Sequence, residues 1–134
     1  KGFAMTDFSK ALDVSTSGLQ AQAPRLRHLS ENISNADTPG YRRKTVPFRT
    51  EFDAGNGVAK VEVGRVSLDK TELEQIFDPS HPLADDSGHF DGSNVNLLIE
   101  LADAREAQRS YEANLKMFEQ ARQMSAGLMQ LLRR

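Results

Sequence analysis

The sequence has no cysteine and no tryptophan, and only 7% of its 134 residues are aromatic. Without cysteine, disulfides, thiol catalysis and cysteine-based zinc sites are excluded. No apolar run approaches the ~18 residues of a membrane-spanning helix, so we do not expect an integral membrane protein. The net charge of -2 lacks the basic excess of a general nucleic-acid binder. We therefore predict no nucleic-acid partner.

Common catalytic motifs are also missing. The chain has no phosphate-binding loop, no dinucleotide-binding glycine pattern and no nucleophile elbow. An EF-hand with Gly92 as its central glycine would need an acidic ligand at Leu98, so that match fails. We predict that the protein is not an enzyme and holds no cofactor or metal. The weaker alternative is a metal-dependent enzyme that uses Asp78, His81 and His89.

The longest regular pattern lies between Asn94 and Arg134. No Gly or Pro occurs from Leu97 until Gly127, and the apolar residues recur at helical steps of three and four. They form two neighbouring stripes, which together are wide enough to face more than one neighbour. A helix of about 38 residues is about 57 Å long, more than a compact domain of this size needs. We predict a helix that is marginal alone and needs partners.

A second helical pattern opens the chain, with large apolar residues at the seven-residue intervals of a heptad seam. The seam residues are Met5, Leu12, Leu19, Leu26 and Ile33. Gly18 and Pro24 weaken the middle of this helix. Because Pro24 lacks an amide donor, we expect it to bend or interrupt the helix.

The segment that follows combines turn and strand signals. The helix is predicted to end near Asn35, and Pro39-Gly40 suits the centre of a type II turn. From 45 to 69, β-forming residues on both sides of an Ala-Gly-Asn-Gly turn predict a β-hairpin, with Gly64 marking a bulge. Residues 71–93 are expected to form an irregular connector.

Several of these stretches resemble one family. The segments 17–22 (SGLQAQ) and 31–42 (ENISNADTPGYR) are similar to the N-terminal signature of bacterial flagellar axial proteins, the rod and hook family. The run 78–82 (DPSHP) and the helix that follows 94–96 (NVN) and contains 109–114 (RSYEAN) resemble the proximal rod members. The similarity covers nearly the whole chain from Met5.

The resemblance implies both a fold and a function. In this family the terminal segments pair as helices in the inner layer of a tube, and a central β-rich insert faces outward. It implies a structural subunit of the flagellar basal-body rod, which crosses the periplasm and transmits torque. The implied partners are the protein itself, other rod proteins and the flagellar type III export apparatus, which acts without a cleaved signal peptide.

We therefore predict an α+β, mainly α fold, with long terminal helices pairing as a coiled-coil-like assembly core around a small β-rich insert. Its segments are 5–36 (helical assembly segment), 37–93 (turn, β-rich insert and connector) and 94–134 (long helix). The predicted assembly residues are Leu12, Leu19, Leu26, Ile33, Leu101, Tyr111, Leu115, Phe118 and Leu132. The predicted turn signature, which directs the chain from the helix into the insert, is Asn35, Asp37, Thr38, Pro39, Gly40 and Tyr41. The alternative from another class is a soluble helical module that binds one partner protein.

Overall fold

The computed structural model describes residues 3–55 and 57–133, which contain two long helices separated by short strands. Helix α1 spans Phe3–Ser34 and helix α2 spans Leu97–Leu132. The strands are β1 (Lys44–Thr45), β2 (Phe48–Asp53), β3 (Val58–Val63), β4 (Ser67–Leu68), β5 (Gln75–Phe77) and β6 (His89–Asp91). The predicted α+β fold, mainly helical with a small β insert between terminal helices, is confirmed.

The chain divides into two compact units, and each unit draws on both helices and on part of the insert. We call the first the helix–hairpin unit; it comprises Lys1–Pro24, Pro47–Gly64 and Glu106–Arg134. The second, the junction unit, comprises Arg25–Val46 and Arg65–Arg105.

Pro24 lies inside α1, and the helix continues through it from Phe3 to Ser34. The predicted interruption at Pro24 is therefore wrong, and the alternative, a bend at Pro24, stays a prediction. Proline removes one backbone donor, which is a local loss. Buried residues on both sides, Ala21 and Leu29, anchor the flanking turns by tertiary packing, and that packing outweighs the loss of one hydrogen bond. The boundary between the two units falls at Pro24 and Arg25.

Most of the buried residues on both helices of the helix–hairpin unit are small, and Gln22 is the larger exception among those described. On α1, Ser15 and Ala21 are almost fully buried, and on α2 Ala107 and Ala121 are buried. The Ser15 hydroxyl donates to the carbonyl of Ala11 at 2.8 Å, so its burial leaves no unsatisfied group. Because small side chains let helix backbones approach closely, the larger leucines are left on the flanks.

Gly18 lies at a close approach between α1 and α2 within this unit. A Cβ added at Gly18 would lie 2.5 Å from Cγ of Asn114, whose amide donates to the Ser110 carbonyl at 2.8 Å. Alanine normally stabilises a helix by up to about 1 kcal/mol relative to glycine. We nevertheless expect Gly18→Ala to lower the free energy of unfolding by about 1–3 kcal/mol, measured by urea denaturation, because of this overpacking.

The control is the same substitution in an Asn114→Ala background. There the opposing carboxamide is absent, so the helix propensity of alanine should dominate and Gly18→Ala should stabilise the protein. If Gly18→Ala already stabilised the wild-type chain, the close approach of Gly18 to Asn114 would be refuted.

The predicted hairpin is confirmed as β2 paired antiparallel with β3, in a register that runs from Phe48↔Val63 to Asp53↔Val58. The Gly64 amide donates to the Pro47 carbonyl at 2.7 Å. Outside this hairpin, β1 pairs with β4. The two ladders belong to separate two-stranded sheets, so the bulge expected at Gly64 stays a prediction.

The prediction of an irregular connector over residues 71–93 is partly wrong. Strands β5 and β6 form a second hairpin, with Ile76 opposite Phe90. Its loop is held by the Asp85 carboxylate, which accepts from the amides of Ser87 at 2.9 Å and His89 at 3.0 Å. Strands of three residues are too short to show an alternating pattern, and for that reason the sequence did not reveal them.

Candidate functional site

The signature turn has the predicted geometry. Helix α1 ends at Ser34, one residue from the expected end. The amide of Tyr41 donates to the Thr38 carbonyl at 3.1 Å, and Gly40 between them has φ = 75°. These are the features of a type II turn with Pro39 and Gly40 at its centre, so this prediction is confirmed.

The turn also closes the end of α1. The side-chain amide of Asn35 donates to the Glu31 carbonyl at 2.8 Å, and the backbone amide of Asn35 donates to the same carbonyl at 3.0 Å. The hydroxyl of Thr38 donates in turn to the Asn35 side-chain oxygen at 3.1 Å. Two of the signature residues therefore act as a helix C-terminal cap. Asp37 lies beside them.

Backbone and side-chain hydrogen bonds join the turn to the segment that leads into α2. The Gly40 amide donates to the Gly92 carbonyl at 3.0 Å, and the Ser93 hydroxyl donates to the Ala36 carbonyl. The Asn94 side-chain oxygen accepts from the Arg43 amide at 2.7 Å. The end of α1 and the start of α2 are thus held together by polar contacts through this turn.

Asn32 lies at the centre of the junction unit and is fully buried. Its side-chain oxygen accepts from the Tyr41 hydroxyl and from the Lys44 amide, both at 2.8 Å. Its side-chain amide donates to the Lys44 carbonyl at 3.0 Å and to Glu100 at 3.3 Å. An asparagine side chain offers two donor hydrogens and two acceptor sites, and all four are used. Burial raises the pKa of the Tyr41 hydroxyl, which keeps it a donor.

Glu100 is the second fully buried polar side chain of the junction unit. Its carboxylate accepts from Nε of Arg43 at 2.5 Å and from Asn32 at 3.3 Å. It lies in the first turns of α2, where the helix dipole favours a negative charge. Arg43 also pairs with Asp69 at 3.3 Å. We call Asn32, Tyr41, Arg43 and Glu100 the polar junction.

Sequence reasoning missed most of the polar junction. The sequence pattern gives Asn32, Arg43 and Glu100 no individual role. The sequence signal for these residues is their position among apolar residues. Glu100 interrupts the apolar run from Leu97 to Leu101, and Asn32 precedes the seam residue Ile33. A polar residue in such a setting is buried only if a partner satisfies it.

The Asp69 carboxylate gives the junction unit a pH dependence. It accepts from the Thr71 amide at 2.9 Å and pairs with Arg43, and these bonds, led by that to Thr71, lower the pKa of Asp69. Its contribution to stability is therefore present above the unfolded pKa of about 3.9 and is lost as the pH falls through the lower folded value.

We expect Asp69→Asn to destabilise the protein at neutral pH, and the deficit to shrink below about pH 4, as measured by urea unfolding over a pH series. A deficit of equal size at every pH would show that the carboxylate charge of Asp69 is not involved.

The predicted assembly residues are not fully buried within their own chain. Leu12, Leu19, Leu26 and Ile33 on α1, with Tyr111 and Phe118 on α2, are half-buried. Leu101 is 49% exposed, Leu115 37% and Leu132 70%. The folded chain therefore leaves apolar surface on these side chains for other contacts, and their role in assembly stays a prediction.

Two apolar flanks border the buried face of α2 in the helix–hairpin unit. At about 100° per residue, Leu115 lies about 100° to one side of the buried Ala107 and Ala121, and Met124 lies about 80° to the other. Met117, Met124 and Leu131 on the second flank are all exposed. We call the Tyr111–Leu115–Phe118 side the leucine flank and the Met117–Met124–Leu131 side the methionine flank.

The three residues of the alternative metal site are engaged in local contacts. The Asp78 carboxylate accepts from the Ser80 hydroxyl at 2.7 Å. The His81 ring stacks on Phe90 at 3.9 Å, and Nδ1 of His89 lies 3.0 Å from the Ser87 hydroxyl. Across residues 3–55 and 57–133, no three potential ligands are placed to hold a metal ion. Nor does the described part of the chain contain a helix with the length and apolarity needed to cross a membrane.

Comparison with known proteins agrees with this arrangement. The family model described as "Flagella basal body rod protein" matches residues 12–42, which include most of α1 and the signature turn. The model described as "Flagellar basal body rod FlgEFG protein C-terminal" matches residues 86–131, which include most of α2. The two matches thus cover both sides of the polar junction.

Curated relatives extend the match to nearly the whole chain. The flagellar basal-body rod protein FlgC of Agrobacterium fabrum is 46% identical over 136 residues, covering 96% of this chain and 98% of the relative. The FlgC proteins of Salmonella typhimurium and Aquifex aeolicus are 30% and 32% identical, with 84% and 85% of this chain covered. This chain therefore belongs to the family of flagellar basal-body rod proteins FlgC.

Proposed function

We propose that this protein is a structural subunit of the proximal rod of the bacterial flagellar basal body and that it assembles through its terminal helices. Its relatives are named as rod proteins. In this proposal the protein is not an enzyme, and its work is mechanical: the rod transmits torque across the periplasm.

The observation that carries the proposal is the distribution of apolar side chains on α2. The face toward the chain's own interior is built from small residues such as Ala107 and Ala121, whereas Leu115, Met117 and Met124 are exposed. An isolated soluble protein rarely keeps a long helix with large apolar residues on both flanks in contact with water. Burial of those flanks against other subunits would supply the driving force for assembly.

Two flanks on one helix also suit a tube better than a closed dimer. If the leucine flank of one subunit contacts a different surface of the next, the contact is heterologous and propagates into a helical array. The methionine flank offers adaptable side chains for a second kind of neighbour, including other rod proteins. A lattice of such contacts resists twisting because each subunit is held from several sides.

The proposed route to the rod is the flagellar type III export apparatus, without a cleaved signal peptide. Helices whose flanks are unpartnered in the single chain are marginal, and they would become fully ordered only on docking to the growing rod. The polar junction would keep the end of α1 and the start of α2 together during that process.

The test is to express the protein with an epitope tag in the exposed loop near Gly55, in cells that lack the untagged copy. Basal bodies isolated from motile cells should contain the tagged chain, and electron microscopy with a labelled antibody should place it in the rod between motor and hook. If the tagged protein restored motility but were absent from isolated basal bodies, the proposal would be overturned and a soluble binding module would be favoured.

A further inference from the structure

Strand β2 is an exposed edge of the helix–hairpin unit. It belongs to a two-stranded sheet in which β3 is its neighbour, and residues 49–53 are exposed. A two-stranded hairpin is marginal alone, and an unpaired edge is a template for another strand. The orientation of the backbone groups of β2 decides which of them can bind a partner strand.

Two hydrogen bonds fix that orientation. The Gly64 amide donates to the Pro47 carbonyl at 2.7 Å, so the pair formed by 47 and 64 directs its backbone groups into the hairpin. The Val61 amide instead points away from β2 and donates to the Ser17 hydroxyl at 3.4 Å. Because inward and outward pairs alternate in an antiparallel ladder, Thr50, which is opposite Val61, also directs its backbone groups outward. Phe52, two residues on, does the same.

The charges of β2 are arranged so that an antiparallel copy of the strand would carry opposite charges at the facing positions. Residues 48–52 read Phe-Arg-Thr-Glu-Phe, so an antiparallel copy centred on the threonine places arginine opposite glutamate twice. We propose that β2 is a docking edge for β2 of a second copy of this chain, paired antiparallel with Thr50 opposite Thr50 of the second copy. In this register, Thr50 forms a hydrogen-bonded pair with Thr50 of the second copy through its outward backbone groups.

The charges on β2 favour this partner. Arg49 is exposed and makes no ion pair with the other residues that the structure describes. Glu51 lies beside Glu62, and the hydrogen bond and repulsion from that second carboxylate raise the pKa of Glu51. Lys60 lies opposite Glu51 in the hairpin, and Arg49 of the second copy would add a second cation beside this carboxylate; the two-fold symmetry would repeat the contact.

The apolar face of the hairpin points to the same partner. Phe52 is 65% exposed, although it is a large aromatic residue in a regular strand. In the proposed register it lies opposite Phe48 of the second copy, so a four-stranded sheet would extend one continuous apolar face. Three or more strands give a sheet the stability that a lone hairpin lacks.

This inference goes beyond the proposed function and does not depend on it. A two-fold contact is isologous and closes on itself, so it cannot repeat along a head-to-tail lattice. We therefore assign it to copies outside the rod, where pairing would cover an edge strand that is prone to unspecific association.

The test uses single cysteines, since the chain has none of its own. Directly opposite residues that exchange hydrogen bonds have Cα atoms about 5.5 Å apart, within the range for a disulfide. Under mild oxidation, Thr50→Cys should form a disulfide-linked dimer in several-fold higher yield than Arg49→Cys or Glu51→Cys alone. An equal mixture of Arg49→Cys and Glu51→Cys should form the mixed disulfide in preference to either homodimer.

Charge variants provide the matched control, read by light scattering over a concentration series. Arg49→Glu with Glu62→Lys keeps opposite charges within the hairpin, but it sets the introduced carboxylate against Glu51 of the second copy, so this variant should be monomeric. Adding Glu51→Arg and Lys60→Glu restores both sets of pairs and should restore the dimer. Equal cross-linking at positions 49, 50 and 51, or dimers unaffected by charge, would overturn the inference, whether or not the chain enters basal bodies.

Discussion

Leu115→Asp is expected to abolish motility while leaving export of the protein intact. Leu115 is 37% exposed on the leucine flank of α2, so a carboxylate there stays in contact with water in the free subunit. Because the rest of the leucine side chain is buried within its own chain, the free energy of unfolding of the isolated chain should fall by only about 1–2 kcal/mol. In the proposed rod the same side chain is buried against a neighbour, and an unpaired buried charge costs several kcal/mol. Swimming in soft agar and rod content of isolated basal bodies measure the effect.

The matched control is Gln123→Asp, which places the same carboxylate on the same helix at an exposed position. At ~100° per residue it lies about 80° from Leu115 and faces away from the buried Ala107 and Ala121. Motility should be retained in this variant. Normal swimming of the Leu115→Asp strain would exclude the leucine flank from assembly, and failure of export would show that the substitution acts before assembly.

Asn32→Asp is expected to destabilise the protein by roughly 3–5 kcal/mol, although it replaces one amide by a group of the same shape. Asn32 is fully buried and donates from its amide to Glu100 and to the Lys44 carbonyl. Aspartate loses both donors and sets a second carboxylate against Glu100. Unfolding of the purified variant in urea at neutral pH measures the loss.

The control for Asn32→Asp is Asn96→Asp. The side-chain oxygen of Asn96 accepts from the Leu98 amide at 3.1 Å and caps α2, a task that aspartate performs about equally well. We expect that variant to remain within ~0.5 kcal/mol of the wild type. Adding Glu100→Gln to Asn32→Asp removes the facing charge and should recover part of the stability. If Asn32→Asp were as stable as the wild type, the buried hydrogen bonds described for Asn32 in the polar junction would be refuted.

The sequence was most informative where a local signal was long or strict. Apolar periodicity over some 30 residues defined both helices, and Pro39-Gly40 defined the type II turn, because a short-range pattern fixes the backbone there. Single local signals were weaker guides. Pro24 breaks an isolated helix, yet buried residues on both sides keep α1 continuous.

The amino-acid sequence by itself determined the two long helices, the turn between α1 and the insert, the first hairpin and membership of the rod family. Tertiary structure alone decided which helix face is buried, because the packing of Gly18 against Asn114 depends on how closely two distant segments approach. It also decided that Asn32, Arg43 and Glu100 form one buried cluster. The physical reason is that a buried polar group is stable only with partners, and those partners lie up to 68 positions away in the chain.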